Sequence, residues 1–401
     1  MLLTSPLSSP LKNPVRDVFS PAGSSQSLTA QVQALVAGGK VGGMWDMGDT
    51  STLFQNAAGA TPVTAVTQPI GIVLDKSQGL VLGAELLSNG NFSGGTTGWV
   101  RGFNSVDGIL SVSSGVATYT VGAGDGGYPR IVATVAGCVV DRYYKITFDE
   151  VAATGTGDRL CVWTSSSDGT GGITINQVNM AVWSAESKTY YLKATATTMY
   201  FGFCVALGSV GSTISIDNVS VRALPGNHAT QSTAGSRPLY QVVGGYGCAQ
   251  FDATNDALLF PAITFGGAFN TFVAGKVTSG TQGVHLWRTA DVNGTWAKYK
   301  SGDATTPTGT GSGSPTYAVN GTALSPSQQG QLYTQINGVD SVVESIGVVL
   351  TAETALQMSG FAGSLFTGNA HRVLMISGTL TAGEKLLCRQ WAAQGNGVTV
   401  V

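Results

Sequence analysis

Charge is scarce in this chain. Only 10% of its 401 residues are Asp, Glu, Lys or Arg, against roughly 25% in a typical soluble domain. Lys and Arg form no run and the formal net charge is −2, so the basic footprint of a nucleic-acid binder is missing. No apolar stretch approaches the ~20 residues that a helical bilayer span needs. The opening MLLTSPLSSPLKNP has no basic flank and is broken by Pro6 and Pro10. It does not read as a secretory signal, and synthesis in the cytoplasm is expected. Cysteines are few, odd in number and scattered (Cys138, Cys161, Cys204, Cys248, Cys388), which suits buried small hydrophobes better than a disulfide frame or a metal site. The three histidines, His228, His285 and His371, lie too far apart for a zinc constellation. A G-x-S-x-G elbow and a Gly-rich phosphate loop are also lacking.

Glycine, by contrast, is abundant, at 56 residues, and hydrophobic residues reach 43%. Abundant Gly with Thr, Ser and Val points to short strands joined by tight turns, and the apolar share is enough for a real core. Tyr144, Ile146 and Phe148 alternate with polar residues, and Phe201, Phe203, Val205 and Leu207 share one parity, so both stretches read as half-buried strands. Asn293–Gly294 and Asn337–Gly338 read as two-residue hairpin turns, because Asn–Gly tolerates positive φ. Residues 301–316, rich in Gly, Ser, Thr and Pro, read as a long exposed loop. Helices are expected only near the ends. Leu28, Val32, Leu35 and Val36 follow a Ser27 cap and stop at Gly38–Gly39. Thr381 and Glu384 form a capping box ahead of an apolar stripe of Leu386, Leu387 and Trp391, with Gly395 as the stop. Residues 1–25, with four prolines and little to bury, read as an extended arm for docking on a neighbouring subunit.

Two resemblances organise the middle. WDMGDTSTLFQNAAGATPVTAVTQPIGIVLDKS (45–77), GNHATQSTAGSRPLYQ (226–241), FDATNDALLF (251–260) and HRVLMISGTLTAGEKLLCRQW (371–391) resemble a concanavalin-A-like, laminin-G-like domain that recurs in tailed phages and prophages. In uninterrupted relatives Asp-Lys-Ser runs almost directly into Gly-Asn-His. Here Asp75-Lys76-Ser77 and Gly226-Asn227-His228 stand far apart. The intervening ELLSNGNFSGGTTGW (85–99) and ISIDNVSVRAL, which ends at Leu224, resemble the first and last strands of a jelly-roll carbohydrate-binding module. The expected architecture is therefore all-β, two nested β-sandwich (jelly-roll) domains with a short N-terminal helix and a C-terminal helix. The segments are an arm (1–25), a discontinuous outer sandwich (26–79 plus 225–401) and an insert (80–224). Surface loops accept such insertions because closing a longer loop costs little.

Sugar rings offer flat apolar faces and a rim of hydroxyls, so their sites pair an aromatic with a hydrogen-bonding Arg, Asp or Asn. Tyr128 and Arg130, in GDGGYPRI, meet that description. Trp163 joins them on the reading that Leu160 and Val162 point inward and Trp163 outward. Trp99 and Trp183 are expected in the core. The carbohydrate-module resemblance implies a structural Ca2+ held by Glu85 and Asp217, with a bulge at Asp217–Asn218 re-aiming the side chain. Asp75, Asn227 and His228 read as turn caps without a ligand. Catalysis is not expected: concanavalin-type glucanases carry an E-x-D-x-x-E strand, which is absent, and only pairs such as Asp340 with Glu344 come close. The combined expectation is a non-enzymatic bacteriophage virion protein, of tail-fibre or baseplate type, that binds host surface polysaccharide. It would contact other virion proteins through the arm and form a homo-oligomer, with a trimer suggested by fibre symmetry. Neither nucleic acid nor membrane insertion is implied. The rival readings are a structural capsid decoration or head-fibre protein and, behind it, a polysaccharide depolymerase.

Overall fold

The computed structural model describes residues 26–167, 178–179, 185–206, 208–252, 254–278, 282–288, 295–309, 315–325, 327–349, 356–358 and 366–401. The arm at 1–25, Trp183, Leu207 and Asn293–Gly294 lie outside them. Strands dominate, as the composition predicts, and none of the described helices is long and apolar enough to cross a membrane.

The strands form four sheets. Two are built only from residues on either side of the expected insert. The larger runs Leu239–Val243, Tyr246–Asp252, Thr367–Ser377, Phe269–Val277, Ser341–Val348, Thr316–Val319, Thr322–Ala323, with Gly42–Asp46 also paired to Thr367–Ser377. Facing it is a sheet ordered Leu53–Phe54, Ile72–Val73, Ala229–Thr230, Leu258–Phe260, Leu356–Met358, Gln282–Arg288, Thr295–Lys300. Trp45, Phe251, Val273, Phe260, Leu258 and Tyr299 fill the space between them. The other two sheets come entirely from the insert. One runs Val178–Asn179, Asp158–Thr164, Thr198–Ala206, Arg130–Ala136, Trp99–Arg101, and the other Ser187–Lys193, Tyr143–Thr154, Thr213–Leu224, Val116–Thr120, Ile109–Ser113. Their common core holds Tyr144, Ile146, Phe148, Phe201 and Phe203, with Trp99 against Phe92 as expected.

The two terminal helices form where their caps predict. Ser27 Oγ accepts from Ala30 N at the start of Leu28–Ala37, and Gly39 takes φ 102° just beyond its end. Thr381 and Glu384 complete a reciprocal capping box on Ala382–Ala393. Both helices cover the outer face of the larger sheet through Val32, Cys388 and Trp391. Leu386 departs from the expected stripe: it is exposed, and Cys388 and Ala392 take its place in the core.

Asn337–Gly338 ends a helix instead of turning a hairpin. QLYTQI is a helix, Gln329–Ile336, not a hairpin strand. Leu332 and Ile336, four residues apart, are both buried, and Asn337 N donates to Tyr333 O at 2.9 Å to end the helix. Gly338 at φ 71° supplies the left-handed step that serves a helix terminus as well as a hairpin. The strands flanking Asn293–Gly294 do pair antiparallel. In the loop that follows, Thr308 is buried rather than exposed.

The insert leaves and re-enters its host through a narrow neck. Ile72–Val73, just before it, pairs with Ala229–Thr230, just after it. Asp75 is wholly buried there: its oxygens accept from Met44 N (2.7 Å), Ser77 N (2.8 Å), Ser77 Oγ (2.9 Å) and Asn227 N (2.7 Å). Asp75 N donates to His228 Nδ1 at 2.9 Å. Asn227 Nδ2 donates to Gly42 O and its carbonyl accepts from Trp45 Nε1, both at 2.8 Å. Desolvation pushes the Asp75 carboxyl up against the pull of these donors, and it lowers His228 to about 4. Beside the neck, Phe54, Ile72 and Leu74 of the host pack on Tyr191 and Leu224 of the insert.

Candidate functional site

The insert sheet that contains Arg130–Ala136 and Thr198–Ala206 has a second face, turned away from its sandwich core. Because side chains alternate along a strand, Ile131, Ala133, Phe201 and Phe203 point into the core, and Arg130, Val132, Cys204 and Ala206 point to the other side. Leu160 and Val162 join them there, forming an apolar floor on which Tyr128 packs. Cys204 lies directly across the ladder from Arg130. Two rows farther along, Tyr200 stands between Thr134 and Thr164.

Tyr128 and Arg130 are brought together as expected from their spacing. Arg130 Nε donates to Tyr128 O at 3.2 Å, and its guanidinium sits 5.2 Å from the Phe103 ring centroid. Arg130 is fully buried, however, so it supports Tyr128 from beneath instead of offering its N–H groups to a ligand as expected. Tyr128 holds φ at 67°, a strained setting for a bulky residue. The strain is sustained by loops stitched to one another. Asp125 Oδ1 accepts from the backbone N–H of Val106, Asp107 and Gly108, and Oδ2 accepts from Gly122 N and Tyr119 Oη. Asp107 returns the favour by accepting from Gly124 N, and Asn104 Nδ2 donates to Gly127 O. Burial desolvates Asp125, yet the Tyr119 hydroxyl and the ring of N–H donors hold its carboxyl below the usual range. Phe103 was not singled out from sequence. Its signal is faint, since it lies outside any strand and only the fold sets it beside Arg130.

Trp163 does not belong to this face. It is fully buried between the insert's sheets, in ring contact with Tyr144 and Phe201, and its Nε1 donates to Lys193 O at 3.1 Å. Leu160 and Val162 are also buried, on the opposite face. With both faces of Asp158–Thr164 covered, parity alone did not reveal which one faces the core.

The expected bulge is present: the register of Thr213–Leu224 shifts between Asp217 and Ser220, with Asn218 at φ 52°. The donors around Glu85, however, do not fit calcium. Oε1 accepts from the N–H groups of Leu86, Leu87 and Val221, and Oε2 accepts from Ser220 Oγ. Asp217 accepts from Asn218 N. Glu85 thus ties the first segment of the insert to its last strand as a hydrogen-bond acceptor. Among the described residues, no group of three or more His, Cys, Asp or Glu is placed to hold a metal ion.

Elsewhere the carboxylates are engaged structurally. Glu344 is gripped by Arg389 at 2.7 and 2.9 Å, so it forms no reactive pair with Asp340. Asp256, raised to about 6 by burial and by the neighbouring Asp252 charge, accepts from Asp252 N. All five cysteines are free and buried, and desolvation lifts Cys204, Cys248 and Cys388 to about 12.

The chain is an all-β sandwich protein, with two of its sheets built from residues 99–224 and two from residues on either side of them. No family model matches the chain, and no curated protein does. Among solved structures, a family 4 carbohydrate-binding module is similar at 16% identity over 34% of this chain and 99% of its own, with a TM-score of 0.27. The enzymatically active domain of tailspike protein 4 from bacteriophage CBA120 is similar at 18% identity, over 35% of this chain and 21% of its own, with a TM-score of 0.26. A mannan-recognising family 27 carbohydrate-binding module is similar at 13% identity, covering 36% and 98% respectively, with a TM-score of 0.25.

Proposed function

We propose that this chain is a non-catalytic surface protein of a bacteriophage particle, of tail-fibre or baseplate type, and that the insert's outer face holds host surface glycans. One observation carries the binding part of this reading. Tyr128 and Phe103, both partly exposed, pack over the buried Arg130 and a buried apolar layer, on loops held by Asp125. A half-buried aromatic presented without loop-ordering cost suits the flat face of a sugar ring, with Arg130, itself buried, bracing it from beneath. The virion assignment draws on the sequence resemblance to phage and prophage proteins, and the arm at 1–25 is its docking element.

A shallow site of this kind implies Kd on the order of 0.1–1 mM, or ~4–5.5 kcal/mol. Several copies on one particle would raise that through avidity. Glycan-array binding of the full chain, with a reducing-end assay on host surface polysaccharide, tests the reading. Binding that Tyr128→Ala weakens about tenfold, without release of oligosaccharides, is the expected result. Released oligosaccharides would make the protein a depolymerase, and silence on every host glycan would leave a capsid decoration or head-fibre scaffold.

A further inference from the structure

A second recess lies where the two sandwiches meet. It has a volume of about 610 Å³ and is walled by Val139 to Tyr143 and Lys193 of the insert, and by Pro225 to His228 and Leu259 to Ala262 on the host side. Neither sandwich forms it alone. Its lining is mixed: Tyr143, Pro225, Pro261 and Ala262 supply apolar surface, Asp141, Arg142, Lys193 and Asn227 polar groups, and Tyr143 is set edge-on to His228 at 5.4 Å. Val139 and Val140, about half exposed, stand at its mouth instead of packing into either core.

The charges at the rim are unequal. Lys193 Nζ pairs with Asp141 Oδ1 at 2.8 Å, which neutralises both. Arg142, exposed on the same loop, makes no ion pair or side-chain hydrogen bond with the described residues. His228 stays neutral, since its Nδ1 accepts from Asp75 N. The recess therefore offers one guanidinium without an ion-pair partner among the described residues, beside the apolar surface of Tyr143 and Pro225. A guanidinium recognises a carboxylate through two parallel N–H donors, and it gains little from a neutral hydroxyl.

We infer that this seam binds an acidic sugar residue, such as a uronic acid, of a host surface glycan. The inference rests on the glycan-binding reading and adds to it a substrate class and a second contact. It also makes the ligand a bridge between insert and host.

The test uses the full chain with oligogalacturonate and alginate oligomers of six residues, each beside its carboxyl-reduced neutral counterpart. Calorimetry is expected to show at least a tenfold preference for an acidic form, lost in Arg142→Gln and reduced but not abolished in Arg142→Lys, which keeps the charge without the paired donors. Tyr128→Ala should weaken acidic and neutral forms alike and leave their ratio unchanged. No acidic preference in the wild type, or a preference that survives Arg142→Gln, would overturn the seam assignment. If the neutral forms still bind in a Tyr128-dependent way, only the seam fails. If none of the four oligomers binds, the glycan reading loses support along with it.

Discussion

The histidine at the neck makes the fold's stability depend on pH in a calculable way. His228 accepts from Asp75 N through Nδ1, and its Nε2 lies 3.4 Å from Leu224 O, so the ring is a neutral Nε2–H tautomer. Protonation would place a second N–H against the Asp75 N–H inside a buried site. Desolvation accordingly lowers its pKa from 6.5 to about 4. Because the folded value is depressed, the unfolded chain binds the proton more readily. The stabilising effect of the neutral ring is complete above pH 6.5 and is lost as pH falls towards 4. A separation of this size corresponds to about 3 kcal/mol. Urea unfolding at pH 7 and pH 4, in wild type and His228→Gln, measures it, because Gln can accept and donate at the same positions without titrating. The wild type should lose about 3 kcal/mol relative to the variant over this interval. Asp75 and His371 titrate in both proteins and largely cancel in the difference. Parallel pH profiles would refute the reasoning.

Other outcomes follow from the same geometry. Trp163→Ala removes a core ring and should destabilise the insert by ~3–5 kcal/mol in a thermal or urea melt, whereas Tyr128→Ala should leave the melt nearly unchanged and lower glycan affinity. Chelation should leave the melting temperature as it is, because Glu85 is satisfied by protein donors; a drop that Asp217→Ala abolishes would restore the calcium proposal. Asp75→Ala strands buried N–H groups of Met44, Ser77 and Asn227, and at ~1–3 kcal/mol for each unsatisfied donor it should unfold the neck at 37 °C. Joining Ser77 directly to Gly226 keeps the Asp75–Asn227 hydrogen bond in reach, so the shortened host should fold alone, as judged by circular dichroism; a molten product would refute the nesting.

Legibility of the sequence varied with how many faces each element buries. Tyr143–Thr154 alternates cleanly because every second residue meets the core and the others do not, and parity was enough there. Asp158–Thr164 is buried on both sides, so Trp163 was assigned to the wrong one. The caps of the terminal helices are local chemistry, readable from a few adjacent residues. Gln329–Ile336 was hidden because an Asn–Gly pair ends a helix and turns a hairpin by the same positive φ. At the site, Tyr128 and Arg130 were legible as neighbours in sequence. Phe103 and the Asp125 loop clasp were not, because they become neighbours only through folding.

Both chains of the neck are tied to one strand. Asp75 reaches Met44, and Asn227 reaches Gly42 and Trp45, all within Gly42–Asp46. That strand is itself zipped along its length to Thr367–Ser377 in the host sheet. A pull on the insert would therefore reach the host through this strand pair, where hydrogen bonds share tension in parallel, and also through Tyr191, whose N–H donates to Ala58 O at 2.9 Å.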